Sequence, residues 1–336
     1  MSDLASFIPA LERNYRGESG FPYAERWKAD LAKMCSVVLA SIVERSEDGT
    51  HGQMLADEIS ALSPEQWVVR LTDPVLFAWC TEAQKLPVVT ESTWRQLHAD
   101  LGHNYGKIYP CTGSQLAIWS TPNLEFLRRM RLAGPGSLGD SCSDASFLDP
   151  CGVLFADARA KIGEAMTALA ELAPGYRADV EQFVSALGLA DDRASFRGSS
   201  ALGRFGLVWF SPRATWPYQI WAEELVHEAT HYIIDCIGAG QPLLLGDDLT
   251  RPRFPSPLRS DLRPAQGVFH ALVVTGRILK LIELLRSGGR DYSVSRERED
   301  ILRASLARCV KVFTDSVQMS VMGSLIFRSN VTPALA

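Results

Sequence analysis

The sequence predicts a mainly α-helical protein with a small β-sheet, an α+β chain. Apolar residues recur at helical spacing through most of it, as in Leu31–Val43 and Trp67–Cys80. One short run, FGLVWF at Phe205–Phe210, has the apolar and aromatic character of a buried strand. Three long helical patterns then follow, over Pro217–Ile237, Pro264–Arg286 and Arg296–Val321.

Residues 1–145 read as a helical N-terminal region without chemical motifs, its aromatic and apolar positions serving as core. The stretch AGPGSLGDSCSDASFLDP, Ala133–Pro150, is rich in turn formers and reads as a loop or linker. Helical patterns resume over Val153–Ala173 and Arg177–Leu187, and a glycine-serine stretch at Arg197–Gly203 leads into the strand. Residues 146–336 are therefore expected to form the second domain, and all of the recognisable chemistry lies within it.

Composition excludes several classes. A formal net charge of −5 is the wrong sign for a general binder of nucleic acid or of anionic membranes. The seven cysteines are scattered with no CxxC pair, which argues against a thiolate zinc site or a disulfide framework. The N-terminus lacks the basic-then-apolar pattern of a signal peptide, and no uncharged run reaches the roughly 18 residues of a membrane helix, so a cytoplasmic protein is expected.

The segment WPYQIWAEELVHEATHYIIDCIG carries the motif that matters. Thr215 is placed to cap this helix, Pro217 suits its first turn and Gly238 the position just past its end. His227 and His231 stand four residues apart, so both imidazoles leave one face of the helix one turn apart. That spacing lets two ring nitrogens reach one metal ion, with Glu228 beside the first to touch a metal-bound water or an outer partner. With only six histidines in 336 residues, chance rarely yields this pattern. A catalytic metal needs a third ligand. Asp235 continues the same helical stripe, but three ligands in one line do not surround an ion, so it reads better as an outer partner or a solvated residue. Asp247 and Asp248 lie in the following loop and stay open. His270, early in the helix that opens at Pro264, is the strongest candidate, because an antiparallel helix pair brings it opposite the motif. The metal site is thus expected between helices, in a zincin-like arrangement.

Between these helices runs TRPRFPSPLRSDLRPAQG, with Arg251, Arg253, Arg259 and Arg263 interleaved with prolines that favour extended chain. Guanidinium groups on such a loop suit a small carboxylate ligand, which they bind in a bidentate manner.

ELVHEATH (Glu224–His231), SPLRSDLRPAQGVFHA (Ser256–Ala271) and the upstream SSALGRFGLVWFS together resemble a known family. These are the HExxH proteins of peptide-modification gene clusters, described as α-ketoglutarate-dependent peptide β-hydroxylases. The resemblance covers about residues 196–285. It implies His227, His231 and His270 as Fe(II) ligands, and a role for Arg259 or Arg263 in holding the distal carboxylate of α-ketoglutarate. Leu258 stands where the family usually has a large aromatic residue. The implied activity is a dioxygenase that hydroxylates a C–H bond, at the β-carbon of a residue in a peptide or of an amino acid, with dioxygen as co-reactant. Glu228 then orients a ligand or anchors the helix.

The competing expectation is a zinc metallopeptidase, with Zn(II) on the motif histidines and Glu228 as general base. That class places a carboxylate on the next helix where this chain has His270, and the HExxHxxGxxH form fails at Ile234 and Ile237. A noncatalytic peptide-binding module needs no complete HExxH motif and ranks last.

Overall fold

The computed structural model describes residues 4–47, 49–102, 107–120, 148–190, 197–246, 249–251, 253–289 and 296–335. Six helices come first: α1 (Leu4–Tyr15), α2 (Ala24–Glu44), α3 (Gly49–Ser60), α4 (Pro64–Leu71), α5 (Pro74–Ala83) and α6 (Glu91–Gly102). Strands β1 (Lys107–Pro110) and β2 (Ala117–Ser120) follow, then α7 (Val153–Leu172), α8 (Pro174–Phe183) and strands β3 (Ala186–Leu189), β4 (Gly198–Ser199) and β5 (Leu207–Phe210). The C-terminal part holds α9 (Tyr218–Gly240), β6 (Leu244–Leu245), α10 (Ala265–Ser287), α11 (Arg296–Ser316), β7 (Gln318–Met319) and α12 (Val321–Asn330). The protein is mainly helical with a small mixed sheet, as its sequence pattern predicts. No helix among the described residues is long and apolar enough to cross a membrane.

The chain gathers into two compact units, each drawn from separated stretches. One comprises residues 1–24, 164–182 and 217–336; the other comprises 25–163 and 183–216. The expected boundary near residue 145 and most of the expected linker lie outside the described residues.

In the unit formed by 25–163 and 183–216, the strands run in the order β1-β2-β3-β5-β4. β2, β3 and β5 are parallel neighbours, and β1 and β4 close the edges antiparallel. Parallel strands are covered on both faces and lack polar alternation, and β3 and β5 are buried at every position. Val75 and Ala78 of α5 pack with Trp119, Ala186, Leu207 and Trp209 of the sheet. Gly188 is required here, because a Cβ at that position would lie 2.6 Å from the Trp209 ring.

Two expectations for this part gain detail. The described N-terminal residues are mainly helical, and β1 and β2 also lie among them. The apolar run Trp67–Cys80 is two helices, not one. Asp73 breaks it by turning its carboxylate onto the backbone N–H groups of Val75 and Leu76, at 2.9 and 3.2 Å, with Pro74 opening α5.

In the other unit, α9 packs on α10, α10 packs on α11 and α12, and α1 packs on α12. Val268, Leu272, Thr275, Leu279 and Ile282 form the buried stripe of α10. A fixed polar group holds this helix in place. Arg277 and Asp179 of α8 form an ion pair with side chains 2% and 1% exposed. Asn14 of α1 accepts from Arg277 at 2.5 Å and donates to Asp179 at 3.0 Å, while the Phe21 amide donates to Asp179 at 2.5 Å. The Arg277 guanidinium also lies over the Tyr176 ring, 4.6 Å from its centroid.

The helix ends differ from the expected ones in instructive ways. Pro217, not Thr215, occupies the N-cap of α9 and makes no side-chain cap; its carbonyl accepts from Ile220 at 3.1 Å. Gly238 lies inside α9, which runs on to Gly240. The third long pattern stops at Ser316, and Ser320 starts a new helix by accepting from the Gly323 amide at 3.0 Å.

Removing one partner of a buried ion pair leaves the other charge uncompensated. Asp179→Ala is therefore expected to lower unfolding free energy by about 3–5 kcal/mol in urea titration. Combining it with Arg277→Met should restore most of that loss. A double variant as unstable as the single would show that shape, not charge compensation, sets the value of this group.

Candidate metal centre

The candidate centre is built on α9 and faces α10. Helical pitch puts His227 and His231 on one stripe, and their Nε2 atoms lie 3.1 Å apart. Two nitrogens each about 2.0–2.1 Å from one ion, in tetrahedral or octahedral geometry, stand roughly 3 Å apart. The spacing in the structure is thus the bite that a single ion requires. Glu228 is buried, with its Oε1 4.0 Å from the His227 Nε2. His227, Glu228 and His231 form a group whose donor atoms all lie within 4.8 Å of one another. Two imidazoles and one carboxylate fit a divalent transition metal, and do not by themselves choose between iron and zinc.

His270 lies next to this group but against its other side. Its Nδ1 is 3.1 Å from the Nδ1 of His231, with the rings stacked at 5.4 Å between centroids and 25° between planes. Because the two nitrogens of one imidazole point in divergent directions, His270 meets the side of His231 turned away from His227. With Nε2 of His231 given to an ion, the proton would sit on its Nδ1 and donate to the His270 Nδ1. The remaining ring N–H of His270 faces Asp235, with Nε2 3.8 Å from Oδ1. Asp235 therefore stands behind His270, in the outer position expected for it. Asp247 and Asp248 lie outside the described residues.

The electrostatics keep these rings neutral. Removal from water, then the neighbouring His227, then the charge of Arg259, hold the His231 pKa well below the usual histidine value. Burial and then His231 push His270 down to about 3, and burial raises Asp235 to about 7. A neutral imidazole is the form that binds a metal or accepts a hydrogen bond.

The two candidate arginines differ. Arg259 is exposed, and its charge is felt at His231. Arg263 is engaged with Asp261 at 3.2 Å. Their loop is pinched at its base, where Phe254 and Arg263 exchange backbone hydrogen bonds of 3.1 and 2.9 Å. Buried Phe254 also meets Phe313 of α11 edge-on at 6.0 Å, and Phe313 in turn lies 6.4 Å from Phe269, the neighbour of His270. The bridge and this aromatic contact anchor the loop to α10 and α11. Pattern reading credited the prolines with rigidity and overlooked Phe254 and Phe313. The apolar position flanked by prolines was the available signal.

No protein-family model matches the chain, and no curated protein matches it either.

The geometry leads to unequal roles for the three histidines. His227→Ala and His231→Ala should each abolish stoichiometric iron or zinc binding, as read by metal analysis after dialysis. His270→Ala should retain the ion with affinity weakened about 10- to 100-fold, the usual effect of losing a partner that orients a ligand. Complete loss of the ion in His270→Ala would instead make it a ligand, brought to the ion by rotation of its ring.

Proposed function

We propose that the protein is an Fe(II)/α-ketoglutarate-dependent dioxygenase that hydroxylates a C–H bond, at the β-carbon of an amino-acid residue in a peptide or a peptide natural-product precursor. The observation that carries this reading is the compact group of two imidazoles and one carboxylate, the donor set of non-haem Fe(II) oxygenases. The charge of Arg259 also acts on His231. Iron with α-ketoglutarate and dioxygen supplies oxidising power, the keto acid leaving as succinate and carbon dioxide while one oxygen atom enters the substrate. His227, His231 and Glu228 would hold the ion. Arg259 binds the distal carboxylate of the cosubstrate. His270 and Asp235 fix the tautomer of His231. In this reading the motif helix sits opposite a second helix in a zincin-like manner.

A zinc metallopeptidase is the second reading, favoured by one observation. Glu228 is buried beside His227, where it could also take a proton from a metal-bound water. Against it, the helix facing the motif offers His270 where that class supplies a carboxylate.

The two readings diverge in their requirements. Iron-loaded protein should convert α-ketoglutarate to succinate with consumption of dioxygen, faster when its peptide is present; a peptidase cuts peptide with zinc alone. Glu228→Gln should lose metal affinity and activity together. A metal-replete Glu228→Gln variant inactive only in peptide cleavage would establish the hydrolase instead.

Arg259→Ala should weaken α-ketoglutarate binding about 10- to 150-fold, matching the roughly 1.5–3 kcal/mol of a hydrogen bond to a charged group. Anaerobic titration of iron-loaded protein, followed by the charge-transfer band, measures this. Arg263→Ala should shift the titration much less, since Asp261 already holds that side chain. Equal shifts in both variants would mean that they act through the loop rather than by direct contact.

A further inference from the structure

A groove of about 900 Å³ runs between the arginine loop and α11. One wall is formed by residues 255–260 and the other by residues 305–312 of α11. Arg259, Arg308 and Lys311 line it, all exposed, together with half-buried Leu258 and exposed Val312. Arg308 donates to the Ser305 hydroxyl at 3.2 Å. None of the three cations is paired with a carboxylate among the described residues. Six other cations of this unit, Arg263, Arg277, Lys280, Arg286, Arg298 and Arg303, each have an acidic partner. In a chain of net charge −5, Arg308 and Lys311 face one groove without a carboxylate partner, opposite Arg259, and mark a place for negative charge brought from outside.

We infer that this groove docks an acidic peptide segment. Arg308 and Lys311 pair with its carboxylates, and an apolar side chain of the peptide lies against Leu258 and Val312. Three cations beside two apolar side chains suit a peptide better than a nucleic acid, which needs a wider basic surface. The loop bearing Arg259 also connects the groove to the metal centre, so a peptide lying in it would reach toward that site. This last step rests on the proposed peptide-modifying function, whereas the docking itself does not.

Anisotropy of a short fluorescein-labelled glutamate-rich peptide containing leucine, titrated with the full chain, tests the inference. The same measurement on His227→Ala keeps it separate from the metal chemistry. Binding should survive His227→Ala and weaken as salt rises. The double variant Arg308→Glu and Lys311→Glu should reduce affinity about tenfold or more, since two attractive pairs become repulsive. Both positions are exposed, and an unchanged thermal melt confirms that the variant is folded. Equal binding of a lysine-rich peptide, tighter binding of a single-stranded oligonucleotide, or indifference to the charge reversal would each overturn the inference. If peptide binds as expected while no succinate is formed, the oxygenase reading fails and the groove stands.

Discussion

The buried pair of Arg277 and Asp179 is the constraint on which the unit with the candidate metal centre depends. Such a pair is a poor source of net stability, because desolvating two charges offsets most of their attraction. Its effect is specificity. Arg277 meets Asp179, Asn14 and the Tyr176 ring at once, a set of partners that other rotations or shifts of α10 would break. His270 lies two helical turns earlier on the same stripe of α10. Fixing Arg277 therefore fixes which side of α10 His270 presents to α9, where sub-ångström placement matters. Gly276 extends the constraint: a Cβ there would come within 2.1 Å of the Asn330 carbonyl, so its absence lets the end of α12 close against α10.

What could be read from the sequence follows the range of the interactions involved. The pairing of His227 with His231 was legible because helix pitch alone determines it. The strand at Phe205–Phe210 and the positions of the long C-terminal helices were legible for the same local reason. Helix ends were read less well. Asp73 and Ser320 end and restart apolar runs through single hydrogen bonds to nearby amides, and both resemble ordinary polar residues in a periodic pattern. The strands β1 and β2 escaped notice because four residues carry little pattern against helix unless, as in β5, they are wholly apolar and aromatic. The pairing of β2 with β3 is made across a long stretch of chain, which no local window contains.

The centre itself divides along the same line. That His227, Glu228 and His231 come together was legible from type and spacing, but which nitrogen faces which neighbour was not. Opposing α9 to α10 brings His270 to His231, yet helix packing alone does not decide on which side of the ring. In the structure it meets the Nδ1 side, while Glu228 and His227 occupy the Nε2 side. A carboxylate next in sequence to a histidine leaves the helix about 100° away from it, so sequence favours a supporting role for Glu228. Its side-chain length and burial bring it back within reach of both imidazoles.

Charge distribution ties the centre to its surroundings. Burial and His227 keep His231 neutral, and the charge of Arg259 adds to them. The same positive charge that disfavours a proton there would favour an anion bound near it. Arg263 lacks this role, because Asp261 neutralises it at the loop's outer edge. The bridge between Phe254 and Arg263 holds the loop's base while Arg259, beyond it, stays exposed. Phe254 on Phe313 anchors the loop against α11, the helix that carries Arg308 and Lys311. The proposed anion capture by Arg259 and the proposed peptide docking along α11 thus rest on one mechanical support, and loosening it would disturb both.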